Sequence, residues 1–284
     1  MNRRLYLRLP DDPVYAPETD VPAGRLCELR VHEGLASRVA HVVAYRDEIA
    51  LSQVVEEQVV PDGALRLVVQ RQGAAWSTAL VGATLAPVVL QYSGRIEGLS
   101  ITFRPGAAAG LLQVDAAELA GRAVSPGELW GADGRELEGL VAGAAGLRAL
   151  SRQLQAFLLR RLPPGESLAQ ARVRHAAGLI ARGTDAAPAQ VARALEISER
   201  RLQQLFSEHL GVSPQAWRRL SRVHGCLREL RRQPDPDWPG FALAMGFYDQ
   251  AHLINEFRAF CGETPARFQA RLGRSVADFS KTAA

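Results

Sequence analysis

The chain has 284 residues, 47% of them apolar and 23% charged, with a formal net charge of +4. This is ordinary globular composition, long enough for about two domains at ~100 to 200 residues each. Its longest mostly apolar stretch, Ala79 to Leu90, is well short of the ~20 residues that span a bilayer, and no apolar signal core follows Met1-Asn2-Arg3-Arg4, so the sequence reads as cytoplasmic, with no membrane partner.

From Leu5 to Phe103 the chain alternates in short β-branched or apolar runs: Leu5 to Leu9, Leu26 to Val31, Val39 to Ala44, Leu65 to Gln70, Trp76 to Val81, Val88 to Tyr92 and Leu99 to Phe103. Turn residues such as Pro61-Asp62-Gly63 and Ser93-Gly94 punctuate them, which predicts an antiparallel sandwich or open barrel. After Pro105 the texture becomes Ala/Leu-rich with helical spacing over Ala107 to Leu112, Ala116 to Ala120, Glu136 to Ala145 and Leu147 to Leu162. Pro163-Pro164-Gly165 then breaks the chain, and everything from Ser167 to Leu272 is helical in pattern. The predicted fold class is therefore α+β. A β-rich domain covers 1–105, a helical extension and linker 106–165, an all-α domain 166–272 and a flexible polar tail 273–284.

Cys27, Cys226 and Cys261 are odd in number and far apart, so sequence neighbours build neither a disulfide framework nor a Cys-x-x-Cys metal site. Lys281 is the only lysine, which removes a phosphate-binding Gly-x-x-x-x-Gly-Lys loop; the zinc-protease and nucleophile-elbow patterns are missing as well. No cofactor, metal or catalytic residue is expected. Charge is distributed unevenly. Residues 1 to 165 carry 17 Arg against 18 Asp and Glu, net −1, whereas residues 166 to 284 carry 17 Arg and Lys against 12 Asp and Glu, net +5. The second half has the balance of a polyanion-binding surface.

That half also repeats itself. At an offset of 51 residues, Pro188 matches Pro239, Leu202 matches Leu253, Phe206 matches Phe257, Gly211 matches Gly262 and Pro214 matches Pro265. Each copy reads as helix, turn, helix. Ser198 or Asp249 supplies an N-cap oxygen, Gly211 or Gly262 ends the second helix, and Ile197 with Leu202, or Tyr248 with Leu253, occupies the positions of a hydrophobic staple. Turning the second helix of the first copy by about 100° per residue puts Leu202, Leu205, Phe206 and His209 on one face and Arg200, Gln203, Gln204 and Ser207 on the other. Arginine and glutamine match the donor and acceptor pairs on guanine and adenine edges. The second copy presents Ala251, Ile254, Asn255 and Arg258, where Ile254 suits a thymine methyl better than water. The connecting segment Pro214 to Arg232 keeps Trp217, Leu220, Val223, Leu227 and Leu230 inward and turns arginines, Arg218 and Arg222 among them, mostly outward. As a helix it would span ~28 Å, close to the ~34 Å of one DNA turn, so two reading helices can enter successive major grooves.

Two such units joined by a long helix, with Gly246-Phe247-Tyr248-Asp249-Gln250-Ala251-His252-Leu253 leading through Phe257-Arg258 to Gly262-Glu263-Thr264-Pro265, resemble the AraC/XylS family of bacterial transcription regulators over residues 168 to 272. The resemblance implies a sequence-specific, non-enzymatic regulator of double-stranded DNA that reads with helices 199–210 and 250–261. It implies base contacts from Arg200, Gln203 and Gln204 in the first unit and from Gln250, Ala251 and Asn255 in the second. RNA polymerase would be a further partner if the regulator activates. Two positions depart from the family: Glu196 stands where a turn often has Gly, at a cost of ~1 kcal/mol if the backbone is left-handed, and Asn255 stands where many members carry Arg.

Val60-Pro61-Asp62-Gly63, Phe103-Arg104-Pro105-Gly106 and Leu129-Trp130-Gly131 are similar to a subgroup with a cupin-like β domain, which implies effector sensing, homodimerisation or both in the N-terminal half. His32 and His41 have no third ligand nearby in sequence, so no metal is expected there. Trp76, Tyr92, Phe103 and Trp130 could line a small-molecule effector pocket or form plain core. Two other classes compete: an enzyme using the β domain, and a helical adaptor binding protein. The adaptor requires apolar exposed faces, and Arg200, Gln203 and Gln204 weigh against it.

Overall fold

A computed structural model of the chain describes residues 2–6 as backbone and residues 25–182, 187–233 and 235–271 in full. The predicted tail, and the end of the predicted first strand at 7–9, lie outside the described residues. The N-terminal half contains β1 (Asn2–Tyr6), β2 (Leu26–Leu29), β3 (Val39–Ile49), β4 (Val55–Val59), β5 (Arg66–Gln72), β6 (Ala75–Val81), β7 (Val88–Tyr92), β8 (Gly94–Phe103) and the short β9 (Ala123–Val124). Six of these form one antiparallel sheet in the order β2-β3-β8-β5-β6-β9, and β1-β4-β7 form a second. The expectation of a purely antiparallel arrangement needs one correction: β1 pairs with β4 in parallel.

The strands run further than hydropathy suggests because charges pair across them. β3 continues through Arg46, Asp47 and Glu48 to Ile49, and β8 begins at Gly94 rather than Leu99. Glu97, only 5% exposed, receives Arg46 at 3.0 Å and Arg71 from the neighbouring strand, while Asp47 meets Arg25 at 3.4 Å. A buried carboxylate with two guanidinium partners is satisfied, so these residues can occupy strand interiors. β4, whose Glu56-Glu57-Gln58 disguises its alternation, is a strand the sequence pattern misses.

Eleven helices follow among the described residues: α1 (Ala108–Leu112), α2 (Ala116–Leu119), α3 (Pro126–Trp130), α4 (Ala132–Ala142), α5 (Leu147–Arg160), α6 (Leu168–Arg182), α7 (Pro188–Ala194), α8 (Glu199–Leu210), α9 (Pro214–Leu230), α10 (Trp238–Ala244) and α11 (Gln250–Cys261). The first core lies between the six-stranded sheet and α1 to α5, where Leu67, Val69, Leu99, Ile101 and Phe103 meet Leu150, Leu154, Phe157 and Leu158. Of the aromatics considered for an effector pocket, Phe103, Trp76 and Trp130 belong to this core, and Tyr92 lies on β7 of the second sheet. Phe103 is core, Trp76 lies under Arg71, and Trp130 packs beside Phe157 beneath Arg161 while its Nε1 donates to the Leu112 carbonyl.

The second core is built by α6 to α11, and it takes in Val60 from the loop after β4 and Ala83 from the loop after β6. The β-rich half therefore grips the helical half directly. Pro61 accepts a hydrogen bond from the His224 ring at 2.8 Å, and the backbone of Gly63 lies so close to α9 that a Cβ there would come within 2.8 Å of Trp217 and 2.9 Å of Leu220. Gln58 donates to the Cys261 carbonyl at the end of α11. Gly211, at the end of α8, abuts the Ala116 carbonyl, where a Cβ would fall 2.6 Å away.

Candidate nucleic-acid interface

α8 and α11 both start and stop as their residues dictate. The Ser198 hydroxyl accepts from the Arg201 N–H and the Asp249 carboxylate from the His252 N–H, each satisfying a donor the helix leaves unpaired. Gly211 (φ +71°) and Gly262 (φ +70°) close them in the left-handed conformation that favours glycine.

The repeat has an irregularity that a constant offset conceals. In the first unit the Ile197 N–H bonds the Ala192 carbonyl at 3.0 Å; in the second the Phe247 N–H bonds the Ala242 carbonyl at 2.9 Å. Up to that point the units correspond at an offset of 50, and α8 and α11 correspond at 51. The turn between α10 and α11 is thus one residue longer, and Tyr248 is the extra residue. The expected staple from Tyr248 to Leu253 is not made, because Tyr248 is 85% exposed and the buried Phe247 takes the apolar site, edge-on to His252 at 5.3 Å. Correct alignment pairs Glu196 with Gly246, and both have positive φ, +53° and +74°. Glu196 carries the strain that Gly246 avoids. Glu196→Gly is expected to raise stability by about 0.5 to 1 kcal/mol, the relief of the left-handed side chain being partly offset by the freer unfolded chain; urea denaturation of the two proteins measures it, and an unchanged midpoint would contradict the strain.

On α8, Leu202, Leu205 and Phe206 are buried and His209 is half-buried, while Arg200, Gln203, Gln204 and Ser207 are exposed together. On α11, Leu253, Phe257, Phe260 and Cys261 are buried; Ala251, Asn255 and Arg258 are exposed; Gln250 and Ile254 are half-buried at the edge of that face. Arg218 and Arg222 on α9 are also half-buried rather than fully outward. Arg222 lies over the Phe247 ring at 5.1 Å, and Arg218 Nε is enclosed with no hydrogen-bond partner. The N-terminal half reaches α8 and α11 at their C-terminal ends, Gly211 and Cys261, and leaves these polar faces open.

Sequence reasoning misses the tie between α9 and α11. Arg219 of α9 makes a two-pronged bond to Glu256 of α11, 2.8 Å at each nitrogen, with Phe260 5.5 Å beneath the guanidinium. Those bonds raise the Arg219 pKa against the opposing effect of burial. The available signal is that Glu256 is the only acid on α11, placed beside an otherwise apolar face.

The shifted carboxylates serve structure. Burial alone would raise the pKa of Asp62, but the charge of Arg66, the Ala64 N–H and His224 hold it below its ordinary range. Among the described residues no group of three or more His, Cys, Asp or Glu is arranged to hold a metal. His32 instead caps a short turn, its Nδ1 accepting from Gly34 N–H at 3.1 Å. No described helix is long and apolar enough to cross a membrane.

A helix-turn-helix domain family matches residues 191–271, the span from α7 to α11, and a domain family of unknown function matches residues 28–125. No curated protein matches the chain. Among solved structures, ToxT from Vibrio cholerae is similar at 10% identity, over 81% of this chain and 97% of that one, with a TM-score of 0.37. An unsaturated fatty acid bound form of ToxT gives 9% identity, 80% and 94% coverage and a TM-score of 0.36. The AraC-like transcriptional activator CuxR gives 14% identity, 68% and 73% coverage and a TM-score of 0.19. These whole-chain likenesses are loose.

Proposed function

We propose that this chain is a DNA-binding transcription regulator of the AraC type that reads two successive major grooves on one side of double-stranded DNA with α8 and α11. The observation that carries the reading is the pair of capped helices, each with its apolar face buried and its polar face open, tied together by α9 and by the Arg219–Glu256 bond. Arg200, Gln203, Gln204 and Ser207 are the readers of the first groove. Gln250, Ala251, Ile254, Asn255 and Arg258 serve the second, and Arg218 and Arg222 hold the backbone. The exposed Arg and Gln side chains favour DNA over a protein partner for these faces.

In this reading residues 1–105 sense an effector or dimerise, 106–165 connect, and 166–272 bind DNA in the cytoplasm, with RNA polymerase a partner where the outcome is activation and no catalytic step involved. Selection of bound duplexes from a random pool tests it. Arg200→Ala should relax preference at one base position by ~1 to 3 kcal/mol, whereas Arg222→Ala should weaken all sequences about equally. Equal losses on selected and random DNA for both variants would show that Arg200 is no reader.

A further inference from the structure

The one-residue expansion of the second turn pushes Tyr248, 85% exposed, onto the rim of a groove between α9 and the start of α11. Arg218, Arg219 and Arg222 line the groove on the α9 side, and Phe247, Tyr248 and His252 line it on the other, with Glu256 as the acidic residue of the lining. Arg219 is committed to Glu256 through both prongs of its guanidinium. Arg218, whose Nε is enclosed without a hydrogen-bond partner, brings further positive charge to the groove, and Arg222 is held over Phe247 at 5.1 Å. His252 adds a directed donor: its Nδ1 accepts from the Tyr248 N–H at 3.4 Å, which leaves Nε2 as the donating ring nitrogen.

We propose that this groove is a clamp for a single DNA backbone phosphate beside the second major-groove entry, with Arg218 supplying charge and Tyr248 Oη and His252 Nε2 supplying hydrogen-bond donors. The inference rests on the proposed DNA-reading function and assigns two residues, Tyr248 and His252, that base recognition does not use. A phosphodiester fits the chemistry: it is a compact anion with two acceptor oxygens, and arginine pairs with it in a fork. Aromatic and imidazole donors beside it add orientation at little entropic cost. The first unit lacks the extra turn residue, so the clamp belongs to the second unit alone.

The test uses full-length protein and a duplex recovered by selection, synthesised with one methylphosphonate at each backbone position in turn. Neutralising the clamped phosphate should weaken the wild-type protein about 10-fold at one position near the second half-site. Tyr248→Phe, which keeps the exposed ring, should lose about 3-fold on every sequence. Arg218→Ala should lower the slope of log affinity against log salt by about 1 and become insensitive to methylphosphonate at that position. Circular dichroism of each variant separates binding loss from unfolding, and His252→Ala supplies a second probe if Arg218→Ala fails to fold. If the variants feel methylphosphonates at every position as the wild type does, while Arg200→Ala still changes base preference, the clamp is wrong and the reading function stands. A folded protein that selects no duplex overturns both.

Discussion

Replacing Trp217 with alanine is expected to cost ~3 to 5 kcal/mol of stability, the range for emptying a large aromatic site in a packed core. Trp217 is 7% exposed in the core of the helical half, and its Nε1 donates to the Ala177 carbonyl at 3.1 Å, so the substitution also leaves that carbonyl without its indole partner. The ring is equally the surface on which the β-rich half rests, because the Gly63 backbone lies directly against it. The damage should therefore extend beyond α9. Chemical denaturation of the full chain measures the loss, and limited proteolysis near residues 60–65 should show earlier cutting. Gly63→Ala probes the same seam from the other side: its φ of +69° strains any side chain, and its Cβ would clash with the ring. A Trp217→Ala protein within ~1 kcal/mol of wild type would mean the seam is loosely packed.

This seam explains why some of the molecule is legible in its sequence and some is not. Caps, glycine ends and apolar periodicity are local, so Ser198, Asp249, Gly211 and Gly262 announce α8 and α11 at their observed bounds. The Arg200, Gln203, Gln204 face follows from periodicity for the same reason. Features that depend on distant partners do not announce themselves. The acidic stretch of β4 reads as loop until β1 and β7 pair with it, and Glu97 interrupts a strand until Arg46 and Arg71 neutralise it. α3 is overlooked because its signal is a short Ser125 cap followed by Pro126, outside any apolar repeat. The added residue at Tyr248 hides behind a constant 51-residue offset, since the strongest identities all follow the turn and the Pro188 match belongs to a different helical position, Pro239 being the second residue of α10. A break in the helical pattern at Pro163-Pro164-Gly165 separates chain texture, yet Val60 and Ala83 pack into the core of the helices beyond it.

A large effect is also expected from changing the spacing of α8 and α11, the two proposed reading helices. α9 has 17 residues, ~26 Å of helix, and its buried Trp217, Leu220, Val223, Leu227 and Leu230 bind it to both units. Two alanines inserted after His224 would rotate the second unit by about 200° and advance it ~3 Å; four would rotate it only about 40° and advance it ~6 Å. The insertion also falls between Arg219 and Glu256 in the chain, so the second tie between connector and reading helix is broken when the helix turns. Losing one of two linked sites removes the effective-concentration gain of bivalent binding, about 100-fold or more in affinity. Two alanines should therefore abolish protection of the second half-site, and four should preserve part of it. Arg219→Ala in the native-length chain tests which tie dominates: if the helix alone sets the phase, its footprint keeps both half-sites; if the ion pair does, the second half-site fades. Folding of each variant must be verified, since both insertions displace Leu227 and Leu230 from the core. Folded proteins with two and four extra residues that both keep the full footprint at native affinity would show a flexible connector, with the heads positioned by the DNA instead.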